Sequence, residues 1–131
     1  AFLALCIALP EEGRRALADP DLELLFTGTL TRRAAVHLRE HVATPARGVD
    51  DDDLAALLAE LAVRGAQGPV DPGQLVAEGL QLELARVDRE IAAARAAGRG
   101  GLSDLAATRR GIKARLEEAL ETVLEREGRE R

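Results

Sequence analysis

Between Leu80 and Val123 two long apolar heptad patterns flank Gly98-Arg99-Gly100-Gly101, an arrangement that folds as an antiparallel helical hairpin. Before the glycines, Ala77, Leu80, Leu84, Val87, Ile91 and Ala94 recur three and four residues apart; after them Leu105, Ile112, Leu116, Ala119 and Val123 do the same. Folding about residue 99 sets Ala94 opposite Leu105, Val87 opposite Ile112 and Leu80 opposite Ala119. A helix from Pro72 to Ala97 is about 39 Å long, beyond the diameter of a bundle built from the preceding residues. The far half, from about Arg89 to Arg110, is expected to project, while Leu75, Val76 and Leu82 pack the root against that bundle. Two helices alone bury little apolar surface, so a projecting pair awaits a partner.

The apolar residues, 47% of the chain, are mostly Leu, Ala and Val, with two Phe and no Trp or Tyr. These are mainly helix formers, and the fold class is all-α. Ahead of the hairpin the punctuation marks about five short helices. Ala1 to Leu9 reads as a buried helix. Pro10-Glu11-Glu12 opens a second, with proline at the first turn and acids at the positive end of the dipole. Asp19-Pro20 opens a brief third through Leu22, Leu25 and Phe26, which Gly28 ends. Thr29 or Thr31 caps a fourth, with Leu30, Ala34, Ala35, Leu38 and Val42 on its inner side and Arg32, Arg33, Arg39 and Glu40 on the other. Pro45 and Gly48 break it, and Asp50 to Asp53 form the solvated start of a fifth through Leu54, Leu57, Leu58, Leu61 and Ala62. Gly65 to Gly73 is the connector. The organisation is thus a bundle over 1–70, a hairpin over 71–127 and a frayed tail over 128–131.

A net charge of −5 and the near absence of aromatics argue against a nucleic-acid surface, which needs cations for phosphates and rings for unpaired bases. Cys6 is the only cysteine, so neither a disulfide nor a cysteine zinc site forms within one chain, and a buried thiol in a cytoplasmic setting is expected. The opening apolar run lacks a basic leader and is too short to span a bilayer. No methionine occurs, including at position 1, and the chain reads as a fragment of a longer protein.

Candidate chemistry is sparse. His37-Leu38-Arg39-Glu40-His41 fits the H-x-x-E-H pattern of inverted zinc proteases. Catalytic zinc also needs a third protein ligand, a cavity and an oxyanion stabiliser; the sequence offers none of them, and Leu38 and Val42 claim the helix for packing. The glycines at 98–101 lack the strand and the spaced Lys-Ser/Thr of a phosphate loop. Ser103, the only serine, sits where a helix cap is wanted, with Asp104 in the first turn. Gly111 inside the last helix either lets a neighbour approach or is merely tolerated. Arg109, Arg110, Lys113 and Arg115 form a basic cluster suited to an acidic partner groove. No catalytic residue, metal or cofactor is expected.

The stretches Leu3-Ala4-Leu5-Cys6-Ile7-Ala8-Leu9-Pro10, Leu22-Glu23-Leu24-Leu25-Phe26 and Leu30-Thr31-Arg32-Arg33-Ala34-Ala35-Val36-His37-Leu38, with the later Leu80-Gln81-Leu82-Glu83-Leu84-Ala85-Arg86-Val87-Asp88-Arg89-Glu90-Ile91, resemble the C-terminal domain of bacterial DNA primase. That resemblance implies a non-catalytic domain in which a helical bundle carries a C-terminal hairpin. The hairpin docks on the N-terminal collar of the hexameric replicative helicase and couples primer synthesis to the replication fork. Primer-polymerising carboxylates and zinc-ribbon cysteines belong elsewhere in such a parent chain. The family has no fixed contact motif. Arg95, Arg99, Leu102, Leu105, Arg109 and Arg110 near the tip are the expected interface, the leucines supplying burial and the arginines the rim. The fragment is expected to be monomeric. The competing readings are a self-associating coiled coil and a zinc hydrolase using His37, Glu40 and His41.

Overall fold

The computed structural model describes residues 1–130, and no strand occurs among them. The elements are α1 (Phe2–Ala8), α2 (Pro10–Leu17), a 3-10 turn (Leu22–Leu25), α3 (Thr29–His41), α4 (Asp52–Gly65), α5 (Pro72–Ala97) and α6 (Leu102–Glu130). The first five form a bundle, and α5 and α6 form the expected hairpin.

At seven residues α1 is too short to be helical alone; it persists because it is enclosed. Phe2, Leu3, Ala4 and Cys6 are buried, and α2, α4 and α5 all pack on it. Two glycines permit the approach. A Cβ at Gly13 of α2 would lie 2.7 Å from Cys6 Cα, and one at Gly65 of α4 would lie 2.8 Å from the Ala4 carbonyl oxygen. Gly65 is therefore the last helical residue of α4 and a packing site, not part of the connector, which is reduced to residues 66–71.

Several helix starts follow their sequence signals. Pro10 and Pro72 occupy first-turn positions. Asp51 caps α4, its carboxylate accepting from the Asp53 and Leu54 N–H groups, and Asp71 caps α5 by accepting from Gly73 N–H at 2.7 Å. Others do not. α3 starts after an extended Gly28 with no side-chain cap, so neither Thr29 nor Thr31 caps it. α6 starts at Leu102 with Leu105 N–H bonded to the Gly101 carbonyl, which puts Ser103 inside the helix. The 3-10 turn ends at Leu25, and Phe26 is extended, so Gly28 opens the next helix instead of closing this one.

The polar side of α3 is a fastening face. The Arg39 guanidinium donates to the carbonyls of Leu17 and Asp19, both at 3.0 Å, tying off the C-terminal end of α2. Arg32 Nη2 donates to Phe26 and Thr27 carbonyls at 3.3 Å, and Arg33 pairs with Asp51 at 2.6 Å. Arg32 and Arg39 are half-buried, contrary to the solvent-facing role expected of them.

Apolar burial falls into two clusters. One joins the bundle helices and takes in Leu75 and Leu82 of α5; the other is the hairpin seam of Leu80, Val87 and Ile112, flanked by Leu84, Ile91, Leu116 and Ala119. Val76 does not join the root packing and stays 55% exposed. The helix of α6 runs on through Glu130; of the tail expected over 128–131, Arg131 lies outside the described residues. Gly111 is exposed, with no atom within 4 Å of the point where a Cβ would stand, so no neighbour uses the space it leaves.

Candidate interaction surface

The hairpin is closed at its tip by backbone bonds. Gly98 takes the left-handed conformation at φ 63°. Its N–H bonds to the Arg95 carbonyl at 3.2 Å, and Arg99 N–H bonds to the Ala94 carbonyl at 2.9 Å. This is the Schellman pattern, in which a residue without Cβ turns the chain while the last carbonyls stay satisfied. Gly101, at φ 89°, makes the second bend into α6.

Charged rungs hold the register set by the seam. Arg109 Nε bonds Asp88 Oδ1 at 2.7 Å, Arg115 Nη2 lies 3.6 Å from Glu83, and Arg126 Nη1 reaches Asp71 Oδ1 at 2.6 Å. Each pair is nearly equidistant from the turn. Asp71 thus serves twice, capping α5 and clasping the far end of α6, with its side chain only 19% exposed. The two rungs nearer the tip lie at the surface, where such pairs contribute little stability, and their service is alignment.

The bundle supports more of α5 than the sequence suggests. Arg86 approaches Asp21 at 3.8 Å, and Arg89 Nη2 donates to the Leu24 carbonyl at 3.0 Å. Arg89 is thereby anchored and is not part of the projecting end. Beyond it α5 continues to Ala97, about 12 Å farther, so the free portion is nearer a third of the helix than half. α6 rests chiefly on α5.

Charge is strongly segregated. Residues 91–116 carry Arg95, Arg99, Arg109, Arg110, Lys113 and Arg115 against Asp104 alone, a net +5, which leaves −10 on the remainder of a chain of net −5. Arg95, Arg99, Arg110 and Lys113 are exposed and make no ion pair among the described residues. Of the six interface residues expected from sequence, Arg110 thus stands free beside the Arg109–Asp88 rung, and Arg95 and Arg99 stand free at the tip. Leu102 and Leu105 are half-buried there, while Arg109 is committed to Asp88. Lys113 is the free cation that the expected set omits; its place in the basic cluster is the signal that could have found it.

The histidines of the H-x-x-E-H pattern sit in a different setting. His37 Nε2 donates to the Pro45 carbonyl at 2.7 Å, since a carbonyl can only accept, and this pins the chain after α3 to the helix. The His37 and His41 rings lie beside each other, tilted by 32° with centroids 4.7 Å apart. No group of three or more His, Cys, Asp or Glu placed to hold a metal occurs among the described residues. Cys6 is buried and free, and burial pushes its thiol up to about 12. No described helix is long and apolar enough to cross a membrane.

Compared with protein-family models, curated proteins and solved structures, the chain gives no match.

Proposed function

We propose that this chain is a non-catalytic docking domain of a bacterial DNA primase, whose hairpin tip binds the N-terminal collar of the hexameric replicative helicase in the cytoplasm. The observation that carries the reading is the net +5 on residues 91–116 of a chain of net −5, with Arg95 and Arg99 lying beyond Arg89, where the bundle holds α5. The likeness of its leucine-rich stretches to the primase C-terminal domain supplies the partner's identity. Cations at an exposed tip steer association with an acidic surface and fix orientation, and the half-buried Leu102 and Leu105 add apolar area as the partner covers them. The bundle's part is to hold the root of α5 rigid, so that the tip meets the partner without paying to become ordered.

The test is a charge-reversed Arg99→Glu/Arg110→Glu variant, two positions free of ion pairs. It keeps wild-type helicity by circular dichroism and binds the helicase N-terminal domain about tenfold or more weakly in calorimetry, with the wild-type affinity falling as salt rises. Unchanged affinity removes the tip from the interface.

A second reading rests on α6, where Leu120 and Leu124 are 41% and 65% exposed on the acidic half of the helix. These leucines fit a self-associating coiled coil. Sedimentation at high concentration separates the two, because a monomer excludes it.

A further inference from the structure

We propose that the groove between α2 and the root of α5 is a second docking site, taking a basic peptide segment that carries an aliphatic side chain. The groove measures about 450 Å³, within the range that holds a side chain or two. Phe2, Leu75 and Leu80 form its floor. Val76 lies open beside them, 55% exposed one residue away from the buried Leu75. Of Leu75, Val76 and Leu82, the residues expected to pack the root, it is the one that the fold leaves uncovered.

Gly79 adds access. Only a Phe2 ring edge stands near it, 3.3 Å from where a Cβ would be, so an incoming side chain at that point meets an aromatic edge and no intervening α5 side chain. A bulky residue there would close the groove from within.

The rim decides the sign of the occupant. Glu12, Asp19 and Glu83 line it against a single Arg15. Asp19 Oδ1 already accepts from Asp21 N–H at 2.9 Å, and Glu83 is held only at 3.6 Å by Arg115. The remaining acceptor capacity of these carboxylates faces an apolar floor, a combination that suits Lys or Arg flanking an aliphatic residue and repels an acidic segment. The polarity is opposite to that of the tip, so this surface serves a different partner and does not depend on the tip reading.

The experiment titrates the full chain with a synthetic amphipathic peptide of lysine and leucine, and with the same peptide carrying glutamate for lysine, read by calorimetry and by backbone amide shifts. The lysine peptide binds, with shifts centred on Val76, Gly79 and Glu83, and the glutamate peptide does not. Val76→Asp is the deciding variant: it adds negative charge to the rim yet removes the apolar contact, and weakens binding about tenfold while helicity stays unchanged. Equal or tighter binding by Val76→Asp reduces the effect to charge attraction and overturns the proposal. Shifts centred elsewhere, or wild-type self-association in sedimentation that Val76→Asp abolishes, also overturn it, the latter by giving the groove to a second copy. The Arg99→Glu/Arg110→Glu chain binds the lysine peptide as the wild type does, which separates this site from the tip.

Discussion

The bundle and the hairpin are both helical and leucine-rich, yet different physics holds them. In the bundle Leu17, Leu22 and Leu38 are 0% exposed and Leu58 is 1% exposed, because five short elements surround a shared centre. In the hairpin the buried cluster of the seam, Ile112, Val87 and Leu80, keeps 4%, 6% and 8% exposure, since two rods shield one line of contact. The bundle is specified by enclosure. The hairpin is specified by register: a glycine turn at one end, the Asp71 clasp at the other and charged rungs between. A structure of the second kind can present to a partner the length that extends past the bundle contact at Arg89, and the bundle has no such free length.

The most damaging way to probe that difference is to truncate one leucine in each part. Leu38→Ala should cost about 3 kcal/mol in urea unfolding, from lost transfer energy and the cavity left in an enclosed site. Leu116→Ala, in the half-buried flank of the seam, should cost about 1–2 kcal/mol, because part of its surface already meets water. Equal losses would mean that the seam is enclosed as well as the bundle is.

A smaller effect has the opposite sign. Gly111→Ala should stabilise α6 by about 1 kcal/mol, since alanine is the better helix former and no neighbouring atom stands in its way. A loss of stability there, in the same unfolding measurement, would reveal a packing partner for that face of α6.

The smallest effect concerns acid. The Arg33 side chain, then the Leu54 amide, hold the Asp51 carboxyl below its ordinary value of 3.8. A lowered folded value means that the contribution is complete above 3.8 and is lost as the pH falls through the lowered one. Thermal melts from about pH 6 to about pH 2 should therefore show a steeper acid loss in the wild type than in Arg33→Met, with the two alike if the pair does not persist in solution.

Legibility in the sequence divides along the same boundary. The hairpin is readable because everything that defines it is local: heptad spacing, a glycine turn, Asp71-Pro72 at the start. The bundle is readable as helices, through Pro10, Asp51 and the apolar periodicities, but not as contacts. Arg39 looks like surface because its partners, the carbonyls of Leu17 and Asp19, lie about twenty residues upstream and no spacing rule points to them. Thr29, Thr31 and Ser103 are attractive caps by residue type, yet α3 starts after an extended Gly28 with no side-chain cap, and the left-handed Gly101 turns the chain directly into α6. Val76 misleads for a related reason: periodicity shows which face of a helix is apolar, not how far a neighbour extends to cover it. On the hairpin, the exposure of Arg95, Arg99 and Arg110 follows from position, whereas the pairing of Arg109 with Asp88 depends on the angle at which the rods meet.

The seclusion of Cys6 has a practical consequence. The residue is fully buried among packed helices, with α2 pressed against its backbone at Gly13, and its proton is held far above neutral pH. Maleimide chemistry should pass the native thiol by, so one cysteine introduced at Arg99 will take a fluorophore cleanly. The far end of the rods then becomes a reporter of encounter, distance and rotation on a molecule whose interior stays untouched.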